Sequence, residues 1–314
     1  MLKGLALTPP IIGRIAIGKV VEKNGKRLPE KDDEFTLTSQ IQSRDGWINH
    51  PLDESLRAGA TGKLRSIPVR LLFDDPELNF RANYSLFDRA TGRLICVGNG
   101  ETCKRITSAG LQQGECPSPD FCPLAANGAC KPYGRLNVRI GDDDELGSFV
   151  FRTTGYNSIR TLSARLRYFH AVSGGRLATL PLELRLRGKS TTQSRRAPIY
   201  YVDLTVRTGM SLNEAIAAAH AESQNRISVG FDQAALDAAA RLGFLEGVFE
   251  DSVEEGAAIV EEFYPGANEV QEGSTETPMT SAGSQPSLAD KLRQQSARRS
   301  PAPVFPALDE RSER

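Results

Sequence analysis

Apolar and polar positions alternate with a period of two over several stretches of the first 210 residues, the signature of half-buried strands. Residues 14–22 are rich in β-branched side chains and read as a strand, followed by a polar, turn-rich segment from Asn24-Gly25 to Asp33. Phe35-Thr36-Leu37-Thr38 alternates apolar with hydroxyl side chains, and residues 63–73 are a third candidate strand. Residues 80–86 and 93–97 flank Asp88-Arg89-Ala90-Thr91-Gly92, a connection with the length and glycine content of a hairpin loop. Residues 135–140 and 149–152 are strand candidates around an acidic turn, Asp142-Asp143-Asp144-Glu145. Leu182, Leu184 and Leu186 alternate with Glu183, Arg185 and Arg187, which predicts a strand with one apolar and one charged face; residues 199–206 read as the next.

The period changes at Ile159, Leu162, Leu166 and Phe169, whose spacing predicts a helix over 155–172 that stops at Ser173-Gly174-Gly175. Ser211-Leu212-Asn213-Glu214 fits a capping box opening an alanine-rich helix, in which hydroxyl and carboxylate satisfy backbone donors reciprocally. Further helical stretches follow over 231–249, with a break expected near Gly243, and over 252–263. Beyond that the apolar pattern is lost, and 265–314 reads as a disordered tail with one apolar handle, Val304-Phe305-Pro306-Ala307-Leu308. The pattern predicts an α+β protein: a mainly antiparallel or mixed sheet with one packed helix, a cysteine-rich loop over 96–132, and C-terminal helices. The principal domain is placed at 1–210, a helical extension at 211–264 and the tail at 265–314.

Composition adds one strong feature. All five cysteines, Cys96, Cys103, Cys116, Cys122 and Cys130, fall within a short glycine- and proline-rich stretch of the 314 residues. There is no apolar run of membrane-spanning length and no secretory signal pattern, so a cytoplasmic protein with reduced thiols is expected. Thiolates are soft ligands, and four in a tetrahedron suit zinc; a loop without a core of its own gains folding free energy from such a staple. No C-x2-C knuckle is present, and small buried thiols are the competing explanation. Cys116, Cys122 and Cys130 are the core candidate ligands, Cys103 the preferred fourth and Cys96 its alternative. An iron–sulfur cluster is the other occupant four thiolates would serve.

No catalytic constellation emerges. His50, His170 and His220 read as surface or cap residues, and Gly98-Asn99-Gly100-Glu101 lacks the rest of a phosphate loop. The acidic turn at 142–145 could hold a divalent ion, but a solvated turn is the commoner use of such a run.

Lys+Arg and Asp+Glu both number 39, so net charge is zero. The balance is a cancellation between segments. Residues 152–196 carry ten arginines and lysines against one acid, Glu183, whereas 212–276 carry fourteen acids against Arg226 and Arg241. Arginines interleaved with hydroxyls and amides suit phosphate contacts, and equally an internal or protein partner. Arg152, Tyr156, Asn157, Arg160, Arg167, Lys189, Arg195 and Arg196 are the candidate contact residues. The acidic segment is a candidate competitor for that surface.

Four stretches carry a resemblance: Cys130-Lys131-Pro132-Tyr133-Gly134-Arg135-Leu136 with its preceding cysteines, residues 151–162 (Phe-Arg-Thr-Thr-Gly-Tyr-Asn-Ser-Ile-Arg-Thr-Leu), Leu182-Glu183-Leu184-Arg185-Leu186, and Tyr200-Tyr201-Val202-Asp203-Leu204. Over residues 1–210 the chain resembles the recombination-directionality-factor-like proteins of phages and integrative elements, some of which carry a loose hydrolase or metal-binding label. The resemblance implies a non-catalytic accessory that binds a large serine integrase, a site-specific recombinase, on DNA and shifts its site preference toward excision. A metal-stabilised modulator of recombination, binding a recombinase and as a further candidate DNA, is therefore the expected function. The alternatives are a metal-dependent hydrolase or nuclease built on the acidic turn, and a single-strand DNA-binding accessory.

Overall fold

The computed structural model of the chain describes residues 10–23, 26–43, 46–59, 62–142, 147–190, 192, 198–246, 259, 260 and 264. Twelve strands are present among them. In chain order the elements are β1 (Ile11–Lys23), β2 (Lys26–Ser43), β3 (Gly46–Asn49), α1 (Pro51–Ala58), β4 (Ser66–Arg70), α2 (Pro76–Asn79), β5 (Phe80–Phe87), β6 (Leu94–Gly98), β7 (Thr102–Thr107) and β8 (Gly110–Glu115). A 3-10 turn over Pro123–Gly128 leads to β9 (Cys130–Ile140), β10 (Ser148–Thr153), α3 (Tyr156–Val172), β11 (Leu182–Ser190), β12 (Pro198–Val206), α4 (Leu212–Ser228) and α5 (Gln233–Glu246). This is the α+β class that the alternation predicts.

The main sheet runs β3-β2-β1-β10-β9-β5-β6-β7-β8, and every neighbouring pair is antiparallel except β1 with β10. β9 is shared: residues 134–138 pair with β10, whereas Arg139 and Ile140 pair with β4, which continues through β11 to β12. The two sheets enclose one core. Phe35, Leu37, Leu136, Val138, Phe149 and Phe151 come from the first, Ile67, Val69, Leu182, Leu184, Val202 and Leu204 from the second. Ile159, Leu162, Leu166 and Phe169 of α3 close it, as their helical spacing predicts.

Glycine permits that closure at one point. A β-carbon at Gly134 would lie 2.7 Å from the ring of Phe80 and 3.1 Å from Ile159. Ser158 adds a polar tie, its hydroxyl accepting the Val202 amide at 3.1 Å.

Three expectations change. The polar run at 24–33 is a strand along its described part, because β2 pairs with β1 from Lys26 to Ser39 and backbone pairing overrides the turn-rich composition. The cysteine-rich stretch contains the hairpin β7–β8, whose β8 residues are all exposed and so carry no apolar alternation. Gly243 lies inside α5 rather than breaking it. Of the expected helix over 252–263, only Ile259 and Val260 are described, and both are helical; the tail at 265–314 lies outside the described residues.

The capping box at Ser211 and Glu214 is formed, opening α4. Ala215 and Ala219 of this helix are fully buried in the main core, so α4 is integral to the compact unit that includes the sheets. Ile259 and Tyr264 bury against Phe87, with Leu94 and Tyr133 beside them.

Candidate metal centre and partner surface

The five cysteines come together. All five line one small, partly open cavity, with Tyr84, Leu86, Gly98, Arg105 and Leu124. Strand register explains how. Cys96 on β6 and Cys130 at the start of β9 both pair with Leu86 on β5, so all three side chains point to one face. Cys96 also pairs with Arg105 of β7, and Gly98 with Cys103, which adds Arg105 and Cys103 to that face. Residues 116–129 fold over this floor and bring Cys116 and Cys122 from above.

Gly98 makes room for them. A β-carbon there would meet the Cys116 sulfur at 2.6 Å and the Cys103 β-carbon at 3.0 Å. The adjoining turn is held by Asn99, whose side-chain oxygen accepts the amides of Glu101 and Thr102, each at 2.8 Å; Gly100 takes a positive φ of 100°. Gly98-Asn99-Gly100 is thus a hairpin turn.

All five thiols are free of disulfides. Cys103 donates to the Glu115 carbonyl at 3.3 Å, and the Arg105 guanidinium stands 3.9 Å from the Cys103 sulfur. Arg105 also stands directly across the strands from Cys96. Burial and, after it, the neighbouring thiols push Cys130 up to about 11. Burial also raises Cys96, opposed by Arg105. The sulfurs are gathered but not drawn to one centre: among the described residues, no three His, Cys, Asp or Glu side chains stand at metal-holding spacing.

The second group of candidates divides. Tyr156, Asn157 and Arg160 lie on the first two turns of α3, with Tyr156 63% exposed. Lys189 at the end of β11 reaches them, donating to Asn157 Oδ1 at 2.8 Å and lying 5.9 Å from the Tyr201 ring. Arg167 and Tyr168 are exposed further along the helix, where Arg167 makes a long contact of 3.7 Å to Glu77. Arg152 is elsewhere. It pairs with Arg135, out of register with the core residues Phe151 and Leu136, and so faces away from α3. Arg14, Arg135, Asn137 and Arg139 share that opposite face and are buried on it. Arg195 and Arg196 lie outside the described residues.

Part of the basic segment is neutralised by carboxylates of β11 and β12. Arg165 and Arg187 both pair with Asp203, at 3.1 and 3.3 Å, and Arg185 pairs with Glu183. Described carboxylates of the acidic helices are engaged locally: Glu214 in its cap, Glu222 with Arg226 at 3.2 Å, and Asp237 on the amides of Asp74 and Asp75.

Asp142 is held between Arg207 at 2.6 Å and Arg70 at 2.8 Å. Those guanidiniums, Arg207 foremost, keep its carboxyl well below the usual range. It is committed to ion pairs; Asp143, Asp144 and Glu145 lie outside the described residues. His50 caps α1, its Nδ1 accepting the Leu52 amide at 3.2 Å, as a cap reading expects. No described helix is long and apolar enough to cross a membrane.

Sequence reasoning missed Gly98, Arg105 and Tyr168. Arg105 was legible in principle, since it stands two positions from Cys103 in a strand and must share its face.

A family model described as Gp3-like, recombination directionality factor-like, matches residues 12–207. No curated protein and no solved structure matches the chain.

Proposed function

The chain belongs to the recombination directionality factor-like family, and from that premise we propose that it is a non-catalytic accessory that binds a site-specific recombinase and biases its choice of sites. The match over residues 12–207 carries the reading, and the family points to a role in phage recombination. The candidate contact surface is Tyr156, Asn157, Arg160 and Lys189, with Arg167 and Tyr168 beside it. Exposed tyrosines among arginines are the side chains that dominate protein interfaces once desolvated. These residues project from a helix and strand fixed by the main core, so the surface is preorganised. In this reading the cysteine-lined cavity serves the fold and not a reaction.

The test is an excision assay with the cognate site-specific recombinase, coupled to a pull-down. Binding and a shift toward excision support the reading. Intact protein that neither binds nor shifts direction overturns it. A steep fall in DNA affinity with salt, in the absence of recombinase, would favour direct phosphate contact instead.

A further inference from the structure

Five thiols around one cavity are more than core packing asks for. The loop over them buries little: Phe121 is 79% exposed, and of the 3-10 turn only Ala125 is buried. Something other than apolar contact must hold Cys116 and Cys122 over the sheet. The cavity also contains a cation with unmet needs. Among the described residues the buried Arg105 Nε has no hydrogen-bond partner, while the same guanidinium stands 3.9 Å from the Cys103 sulfur and across the strands from Cys96. A guanidinium so placed favours negative charge in front of it.

The structure assigns this cavity as a structural metal centre for a soft divalent ion of the zinc class, ligated by Cys96, Cys116, Cys122 and Cys130, with Cys103 as an outer, protonated thiol. Four thiolates around a divalent ion leave about two negative charges, and Arg105 offsets one of them. The choice between Cys96 and Cys103 follows from what each sulfur faces. Cys103 points its S–H at the Glu115 carbonyl, 3.3 Å away; a thiolate there would face an oxygen lone pair. Cys96 makes no such contact with a carbonyl among the described residues and stands across the strands from Arg105, so nothing in front of it opposes a thiolate. The assignment thus exchanges the two cysteines relative to the expectation from the sequence, in which Cys103 is the preferred fourth ligand and Cys96 its alternative.

Metal–sulfur bonds of about 2.3 Å require the four side chains to rotate inward from their present positions. All four already line one cavity, so the donors are gathered there before the ion arrives. On binding, each ligand thiol loses its proton to solvent and forms one bond to the ion, which is neither oxidised nor reduced.

The test uses the full chain purified under reducing conditions without chelator. Elemental analysis is expected to find about one zinc per chain, and cobalt added to metal-stripped protein should give thiolate-to-metal absorption of a tetrahedral site. Cys103→Ser should retain stoichiometric metal, whereas Cys96→Ser, Cys116→Ser, Cys122→Ser and Cys130→Ser should each lose it. If those variants fail to fold, thiol-reagent titration of the wild type replaces them: Cys96, Cys116, Cys122 and Cys130, all half-buried, should be unreactive before chelation and react after it, and reaction of any of them in the metal-loaded protein overturns the ligand set. Absence of both zinc and cobalt uptake overturns the metal centre. Iron with acid-labile sulfide overturns the zinc-class assignment. Loss of metal from Cys103→Ser, or its retention in Cys96→Ser, overturns the ligand set.

Discussion

The Cys116 sulfur lies directly over Gly98, 2.6 Å from where a β-carbon on that residue would stand. The glycine is a spatial requirement of the cysteine cavity, since any side chain would enter the space of the overlying loop. Gly98→Ala is expected to destabilise the protein by about 1–3 kcal/mol, the usual cost of overpacking. Gly114→Ala is the control, because nothing lies within 4 Å of its added carbon. Denaturant unfolding of both variants checks the contrast, and equal midpoints would remove the steric argument.

Tyr156 is the aromatic centre of the proposed recombinase surface. It makes no contribution to the core, so its truncation separates binding from folding. Tyr156→Ala is expected to weaken recombinase binding roughly tenfold or more, as an interface hot spot would, with the unfolding midpoint unchanged. Arg152→Ala should leave recombinase affinity unchanged, because Arg152 faces away from α3. Titration of each variant against immobilised recombinase reads the difference.

Much of the fold was legible because its signals are local. The alternation of Leu182, Leu184 and Leu186, the helical spacing from Ile159 to Phe169 and the Ser211–Glu214 box each act within a few residues. The rest depends on partners distant in sequence. β2 reads as turn-rich until β1 pairs with it, and β8 has no inward face to betray it. The site divides along the same line. Clustering of cysteines in the sequence flags a shared site, but which face each one occupies is set by the registers of β6 with β5 and β7. Arg152 and Arg160 belong to one basic segment, and only the pleat of β10 shows that they lie on opposite sides of the sheet.

Asp203 ties α3 to the β11–β12 hairpin. Its two oxygens accept from Arg165 at 3.1 Å and Arg187 at 3.3 Å, and Oδ1 also accepts the Leu204 amide at 3.0 Å. Both arginines are well exposed, so screening limits what the charges add, whereas the carboxylate itself is buried. Asp203→Ala is expected to cost about 1–3 kcal/mol, mainly through the lost bonds to charged groups. The loss should therefore shrink at high salt, and a loss insensitive to salt would assign it to the Leu204 amide bond instead. Unfolding measured at low and high salt distinguishes the two contributions.

Glu183 gives the fold an acid limit. Its carboxylate is buried beneath the turn after β12 and accepts the Thr208 amide at 2.9 Å, the Thr205 hydroxyl at 3.2 Å and Arg185 Nε at 3.0 Å. Burial alone would raise its pKa, but the Thr208 amide and hydroxyl and Arg185 outweigh it, so the folded value lies below the ordinary one. The unfolded chain therefore binds this proton first as pH falls. The stabilisation is fully present above the ordinary glutamate value of about 4.3 and is lost as pH drops through the lower folded value. Glu183→Gln removes the charge at every pH. Near neutrality it should cost about 1–3 kcal/mol, because a neutral amide replaces a charge-assisted acceptor. Below the ordinary glutamate value of about 4.3 the gap to wild type should begin to narrow. Unfolding free energies measured from pH 7 to pH 3 test this, and a gap that stays constant across the range would show that Glu183 is held by shape and not by charge.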